Sequence, residues 1–301
     1  MLRLVQALVT VALLALLWQV ADGGRALEAL ASAQAGWMLA TLAALTLHTV
    51  LAAERWRLTA AALGLHLGHG YALREYYLAQ LVNSTVPGGV VGDAGRAVRT
   101  REQAGLTIAA QAVVVERFAG QVALLATMII AITVTWLVPG GFDWPPWMLG
   151  LAATITLAAV ALLGVLLAAR WLPGRVGPRI AELSRTAGLA LLGRRVALPQ
   201  LALSAGTTAC ILFAFFSAAA AVDLHLSFAA VVTLVPLILL TMLVPLTISG
   251  WGLREGAAAA LLPLAGATAS ASLAASVVFG LVALVAVLPG LAVVWVRRRA
   301  G

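Results

Sequence analysis

The sequence predicts an all-α polytopic membrane protein with about six full spans and two re-entrant or broken-helix hairpins. Apolar residues make up 63% of the chain and charged ones 10%, at a mean hydropathy of +1.05. The apolar runs are long and unalternating, as lipid-embedded helices require and barrel strands do not. Arginine supplies the whole basic complement, since no lysine occurs, and it gathers beside the runs and in the connections between them. That placement is what the positive-inside rule produces. Two runs are also broken by glycine and proline at one spacing. Val86-Pro87-Gly88-Gly89-Val90-Val91-Gly92-Asp93-Ala94-Gly95-Arg96 and Val244-Pro245-Leu246-Thr247-Ile248-Ser249-Gly250-Trp251-Gly252-Leu253-Arg254 both read Val-Pro-x4-Gly-x3-Arg, 158 residues apart. Interruptions at corresponding places in two halves of a membrane protein point to a binding site. The chain reads as a single membrane domain over 1–301, with half-repeats around 72–138 and 228–296.

Residues about 4–21 form the first span, retained rather than cleaved, because Gln19-Val20-Ala21 is a poor small-x-small site. Asp22, Arg25 and Glu28 then make a short outside link. The second span covers about 36–53 and carries His48, a packed or hydrogen-bonded residue rather than a ligand. Glu54-Arg55-Trp56-Arg57 ends that span, since Trp beside Arg suits a membrane–water boundary, and Tyr71, Tyr76 and Tyr77 read as aromatic belting. Residues 72–83 are too short to cross a bilayer, and the Pro87–Gly92 break follows. A short helix in, a turn, and a charged short helix out over 93–105 make a re-entrant hairpin. Irregular backbone at membrane depth persists only when buried in protein or lining a wet cavity.

The third span covers about 107–138. Pro139 to Trp147 is an outside loop with aromatic anchors, and 148–169 is the fourth span. Arg170, Arg175, Arg179, Arg185, Arg194 and Arg195 crowd one connection, which fixes it inside; contact with acidic headgroups is a weaker second reading. Residues 200–222 form the fifth span, with Phe213, Phe215 and Phe216 facing core or lipid. Its Cys210 is the only cysteine, which excludes an intrachain disulfide and a cysteine metal cluster. Asp223 and His225 lie outside. The run 228–248 meets the second break, and a short helix from Leu253 to about Leu264 ends at Pro263–Gly266. The last span covers about 270–296, and Arg297-Arg298-Arg299 closes the chain inside. With both termini cytoplasmic, the first hairpin enters from the cytoplasm and the second from outside. That is an inverted repeat around a midplane site.

The chemistry concentrates at the breaks. Glu116-Arg117 lies well inside the third span, where a charge costs about 2.5–3.5 kcal/mol on insertion scales and marks a functional site by default. Neighbours in sequence do not face each other on a helix, so each needs another partner: Arg96 or Arg254 for Glu116, Asp93 or Glu255 for Arg117. A structural ion pair that fixes helix register is the competing account. The candidate substrate-binding set is Pro87, Gly88, Gly89, Gly92, Asp93, Arg96, Glu116, Arg117, Gly250, Trp251, Gly252, Arg254 and Glu255. Guanidinium binds phosphate bidentately and stays charged, and half-helix N-termini offer N–H groups to the same anion. No lysine is available for a Schiff base or a Walker motif, and nucleic acid is not an expected partner. No metal or cofactor is expected, since the four histidines are scattered and neither Asp-x-Asp nor His-Glu-x-x-His occurs.

At Asn83 to Arg96 (NSTVPGGVVGDAGR), Val115 to Gly120 (VERFAG) and Ile248 to Gly256 (ISGWGLREG), the chain resembles the transmembrane region of lysylphosphatidylglycerol synthases, a flippase-like family with free-standing members. The resemblance runs over nearly the whole chain. It implies acidic residues at Asp93 and Glu116 and arginines at Arg96, Arg117 and Arg254 near a lipid path. It also implies movement of a polar-headed or anionic lipid between leaflets of a bacterial plasma or inner membrane. No synthase domain follows residue 301, so aminoacylation of a lipid is not expected. Relatives in glycolipid, polyprenyl-lipid and hopanoid pathways leave the lipid open, along with association with synthesis enzymes or with itself. The leading expectation is a translocase and not an enzyme, running downhill or coupled to an ion through Asp93, Glu116 or Glu255. The alternative is a membrane component of glycolipid, polyprenyl-lipid or hopanoid synthesis, as enzyme or scaffold.

Overall fold

The structure is a computed structural model that describes residues 2–86, 89–137, 146–169, 171, 176–244 and 246–300. Among these the chain is helical and without strands, as the sequence predicts for a protein that must satisfy its backbone inside lipid. The helices in order are α1 (Leu2–Val20), α2 (Gly23–Ala31), α3 (Ala35–Ala62), α4 (His69–Thr85), α5 (Val91–Leu137), α6 (Pro146–Ala169), α7 (Val176–Leu192), α8 (Ala197–Ala221), α9 (Phe228–Leu240), α10 (Leu253–Leu261), α11 (Ala269–Ala286) and α12 (Pro289–Ala300). Among the described residues, α3, α5, α8 and the stretch Ala269–Val293 are each long and apolar enough to cross a membrane, and the bent pair α1–α2 makes a fifth. α6 is a 24-residue helix over the expected fourth span. The outside loop read at Pro139–Trp147 falls mostly outside the described residues, as do Arg170 and Arg175 of the basic connection; α7 carries Arg179 and Arg185, and Arg194 and Arg195 lie in the turn between α7 and α8.

Two stretches read as polar connections are structured differently. Asp22, Arg25 and Glu28 do not form a loose link. Asp22 takes a left-handed φ of 51° and caps α2, which leaves α1 at a 93° bend and buries Ala21 and Ala26 in the core. The second span does not end at Glu54 either. α3 runs on to Ala62, and its turns separate by helical periodicity. Glu54 and Arg57 pair at 2.7 Å on the outer face, while Arg55, Trp56, Thr59 and Ala60 are buried on the inner one. Interfacial aromatic belting is thereby overturned for Trp56, and for Tyr77, which is also buried.

α5 is two helices joined at Gly105, whose φ of 82° and ψ of 159° only glycine adopts freely. Arg96 and Glu116 are 20 residues apart and would be about 30 Å apart on a straight helix, yet their side chains meet at 2.8 Å. The chain therefore folds back at Gly105. The first arm, 91–104, lies antiparallel to α4: Asn83 bonds to Gly92 and Asp93, and Glu75 bonds to Arg99. The second half of the chain repeats this order. α9 leads into an irregular turn, α10 follows, Gly266 takes a φ of 84°, and the long α11 begins. The larger apolar core lies where α11, α8, α9 and the second arm of α5 meet, with the rings of Phe215 and Phe279 tilted against each other at 5.4 Å.

Candidate functional site

Both breaks open onto one cavity of about 440 Å³. Gly89, Val90 and Asp93 reach it from the first break, Ser249, Gly250, Trp251 and Arg254 from the second, and Glu116 and Arg117 from the long arm of α5. Pro87, Gly88 and Pro245 lie outside the described residues. Gly92, Arg96 and Glu255 stand behind the wall, in contact with residues that line it, and Gly252 lies behind it too, its N–H held by Glu255.

The first wall is a charge network drawn from three helices. Glu116 is fully buried and receives Arg55 Nη2 at 2.9 Å on Oε1 and Arg96 Nη2 at 2.8 Å on Oε2. Tyr76 donates its hydroxyl to Oε1 at 3.3 Å. Arg96 also meets Asp93 Oδ1 at 3.0 Å, and its guanidinium lies between the rings of Trp56 and Tyr76, 4.6 Å from each centroid. Two aromatic faces hold a cation in a place that water does not reach. Asp93 further accepts from Asn83 Nδ2 at 2.9 Å and pairs with Arg117. The sequence leaves two partners open for each central charge. The structure selects Arg96 for Glu116 and Asp93 for Arg117, and adds Arg55, which sequence reading placed at the membrane boundary. Tyr76 is likewise a site residue and not a belt residue.

The second wall is self-contained. Arg254 pairs with the adjacent Glu255 and donates Nε to Ser276 Oγ at 3.1 Å; the rings of Trp251 and Phe279 cover it. Glu255 accepts the Gly252 N–H on its other oxygen at 2.7 Å, so it caps α10 as it neutralises Arg254. The half-helix N-termini are thus already engaged: Asn83 Oδ1 holds the Gly92 N–H at 2.8 Å, and Glu255 holds that of Gly252. Offering these particular N–H groups to an anion, as the sequence suggests, would require displacing a side chain of the protein.

Glycines make room for the guanidiniums. A Cβ at Gly120 would fall 2.7 Å from Arg55 Nη2, and one at Gly280 would fall 2.2 Å from Arg254 Nη2. Gly92 serves closeness of another kind, since a Cβ there would fall 2.0 Å from the Ala79 carbonyl oxygen of α4. His48 behaves as a hydrogen-bonded residue, its Nδ1 3.0 Å from the Thr207 carbonyl. Among the described residues, no three His, Cys, Asp or Glu side chains converge as a metal site would require.

Neither a curated protein nor a solved structure matches the chain. A family model does, the lysylphosphatidylglycerol synthase TM region, over residues 3–290, and that stretch carries both breaks, the intramembrane charges and the cavity they share. With nearly its whole length matched, the chain belongs to the lysylphosphatidylglycerol synthase transmembrane-region family.

Proposed function

We propose that this protein is a lipid translocase, which moves a lipid with a polar or anionic headgroup between leaflets through the cavity between the two broken helices. One observation carries this reading: a charged interior sits behind an apolar rim. Arg55, Asp93, Glu116, Arg117 and Arg254 line the cavity. Val90, Leu243 and Val244 line it as well, yet are largely exposed, on the tips of the two breaks. A headgroup needs the first surface and acyl chains need the second, so a lipid could enter from the side with its tails still in hydrocarbon. On this reading the hairpins enter from opposite faces, both termini are cytoplasmic, and the membrane is the plasma or inner membrane of a bacterium.

The test is flipping in liposomes. Purified protein is reconstituted with tail-labelled anionic and zwitterionic lipids, and outer-leaflet label is destroyed chemically. Native protein should expose the inner-leaflet pool of the anionic lipid. Glu116→Gln, checked for folding by gel filtration, should slow that exposure at least about tenfold, because two buried guanidiniums lose their shared carboxylate. Without added exposure for any lipid, the translocase reading fails. A supporting role in a lipid-synthesis complex then takes its place.

A further inference from the structure

His48 stands among the charges of the cavity without sharing in their pairing. It lies on α3 two turns before Arg55 and lines the cavity. Its Nδ1 is 3.0 Å from the Thr207 carbonyl of α8, which is the ring's one hydrogen-bond partner among the described residues. A carbonyl only accepts, so Nδ1 carries the hydrogen, and the neutral ring keeps its lone pair on Nε2. One face of the imidazole is therefore fixed, and its base is unengaged.

The titratable and charged side chains that line the cavity with it are Arg55 from its own helix, Tyr76 from α4, Asp93, Glu116 and Arg117 from α5, and Arg254 from α10. α7, α8 and α11, which also pack on α3, add none there. Every one of these groups is committed. A proton on Glu116 would leave Arg55 and Arg96 without their shared carboxylate, and one on Asp93 would weaken its hold on Arg96 and Arg117. Glu255, behind the wall, is the carboxylate that neutralises Arg254. Guanidiniums do not give up their protons, and Tyr76 spends its hydroxyl on Glu116. The sequence places ion coupling at Asp93, Glu116 or Glu255, but each of the three carries a structural charge. The imidazole is the group left, and its charge ordinarily changes between about pH 5 and 8.

His48 is also joined to the charge network. The residue whose carbonyl takes Nδ1, Thr207, accepts Arg55 Nη1 on its hydroxyl at 2.9 Å, and Nη2 of the same guanidinium holds Glu116. A proton on Nε2 would put a positive charge on the cavity wall beside these groups. In a site of low polarity that charge is costly alone and favoured when an anion sits opposite. By linkage, proton and anion then raise each other's occupancy by the same factor.

We propose that His48 is a proton-binding site coupled to the cavity: Nε2 takes a proton from water when an anion occupies the cavity and returns it when the anion leaves. Nδ1 keeps its hydrogen and its bond to Thr207 throughout. The proposal rests on the translocase reading for its consequence, which is that a proton and an anionic headgroup move in the same direction and a pH gradient drives the lipid.

The test has two arms. In the first, the full chain with isotope-labelled imidazoles is titrated by NMR in maltoside micelles, with and without dihexanoyl phosphatidylglycerol as the anionic probe and dihexanoyl phosphatidylcholine as the zwitterionic control. His48 is the signal lost from His48→Asn, which keeps an N–H for the Thr207 carbonyl but cannot take a proton; His48→Gln confirms the assignment if that variant does not fold. The neutral ring should carry its hydrogen on Nδ1 and gain a second on Nε2 between about pH 5 and 8. The anionic probe should raise its proton affinity about tenfold, and the zwitterionic one should not. A neutral ring with its hydrogen on Nε2, or one that does not titrate in that range, overturns the proton site. A titration unmoved by the anionic probe overturns the coupling. In the second arm, the liposome assay is run with and without a pH gradient. The gradient should change the native rate of lipid exposure several-fold, and in folded His48→Asn the ratio of the two rates should fall to about one. Native protein that moves lipid without responding to the gradient overturns the coupling as well. A chain that moves no lipid ends the translocase reading and the transport consequence with it, while the imidazole titration still decides the proton site.

Discussion

The two breaks share a spacing and use it differently. In the first, Arg96 reaches back across the Gly105 fold to Glu116, which Arg55 of α3 also holds, so one arginine ties a hairpin to two long helices. In the second, Arg254 is neutralised by the residue next to it. The cause is legible in the residue after each arginine. Ala97 follows Arg96 and cannot offer a charge, whereas Glu255 follows Arg254, and at the third position of α10 it also reaches the Gly252 N–H. One pattern thus builds a shared network with spare partners in one half and a closed pair in the other. In the first half each carboxylate meets two guanidiniums, Glu116 those of Arg55 and Arg96 and Asp93 those of Arg96 and Arg117; in the second, Glu255 meets Arg254 alone among the described residues.

That difference makes its largest prediction about arginine removal. Arg254→Met strands Glu255, which is fully buried and has no other cation within reach among the described residues. Breaking a buried pair this way costs about 3–5 kcal/mol. Arg96→Met leaves Glu116 paired with Arg55 and Asp93 paired with Arg117, so it loses charge-assisted hydrogen bonds worth about 1.5–3 kcal/mol. Thermal or denaturant unfolding of the purified variants should rank them in that order. The double variant Arg254→Met/Glu255→Gln should recover most of the loss, since glutamine keeps an acceptor for Gly252 without the charge. An Arg96→Met protein less stable than Arg254→Met would show that the first network has no spare partners.

A middle-sized effect separates Gly92 and Gly252, the glycines whose N–H groups are held at the starts of α5 and α10. Gly92 is needed for space alone, because its missing Cβ lets α5 approach the backbone of α4; Gly252 is needed first for its φ of 88°, and a Cβ there would also fall 2.9 Å from the Leu13 side chain. Gly92→Ala must push two helices apart and should cost about 1–3 kcal/mol, with protease susceptibility rising near 86–92. A Gly92→Ala protein as stable and as resistant as the parent would mean that the hairpin is not packed this closely.

Much of this could be read from the chain, and the rest was hidden for identifiable reasons. Both breaks, the hairpin over 72–105 and the intramembrane pair Glu116-Arg117 follow from where charge, glycine and proline interrupt apolar runs. The partners were narrowed to two each, because sequence gives the chemistry of a pair but not the direction of a fold such as the one at Gly105. Arg55 was missed because Trp beside Arg near the end of an apolar run looks interfacial. The available signal was periodicity: Glu54 and Arg57 fall on one face of a continuing helix, and Ala52, Trp56, Thr59 and Ala60 fall on the other with Arg55. Tyr76 was missed for the same reason, since interfacial and buried tyrosines differ in their neighbours and not in their letter. Asp22–Glu28 misled because three charges in seven residues outweigh an amphipathic helix too short to announce itself.

The smallest effect tests how self-sufficient the second break is. Ser276 accepts from Arg254 Nε at 3.1 Å and donates to Glu255 Oε1 at 3.2 Å. Remove it, and Arg254 Nε still reaches Glu255 Oε1 at 3.0 Å. Ser276→Ala should therefore cost only about 0.5–1.5 kcal/mol, the net worth of an ordinary hydrogen bond. Asn83 is its counterpart at the first break, where it holds both the Gly92 N–H and the Asp93 carboxylate. Asn83→Ala leaves the N–H at the start of α5 unanswered, and loss of such a cap alone costs about 0.5–2 kcal/mol. The lost bond to Asp93 adds to that. In parallel unfolding measurements Asn83→Ala should be the more damaging by about a factor of two, because nothing nearby replaces its two bonds. Equal losses would place Ser276 inside the charge balance of the second wall. That wall would then depend on α11 as heavily as the first depends on α4, and the contrast between a shared network and a closed pair would not hold.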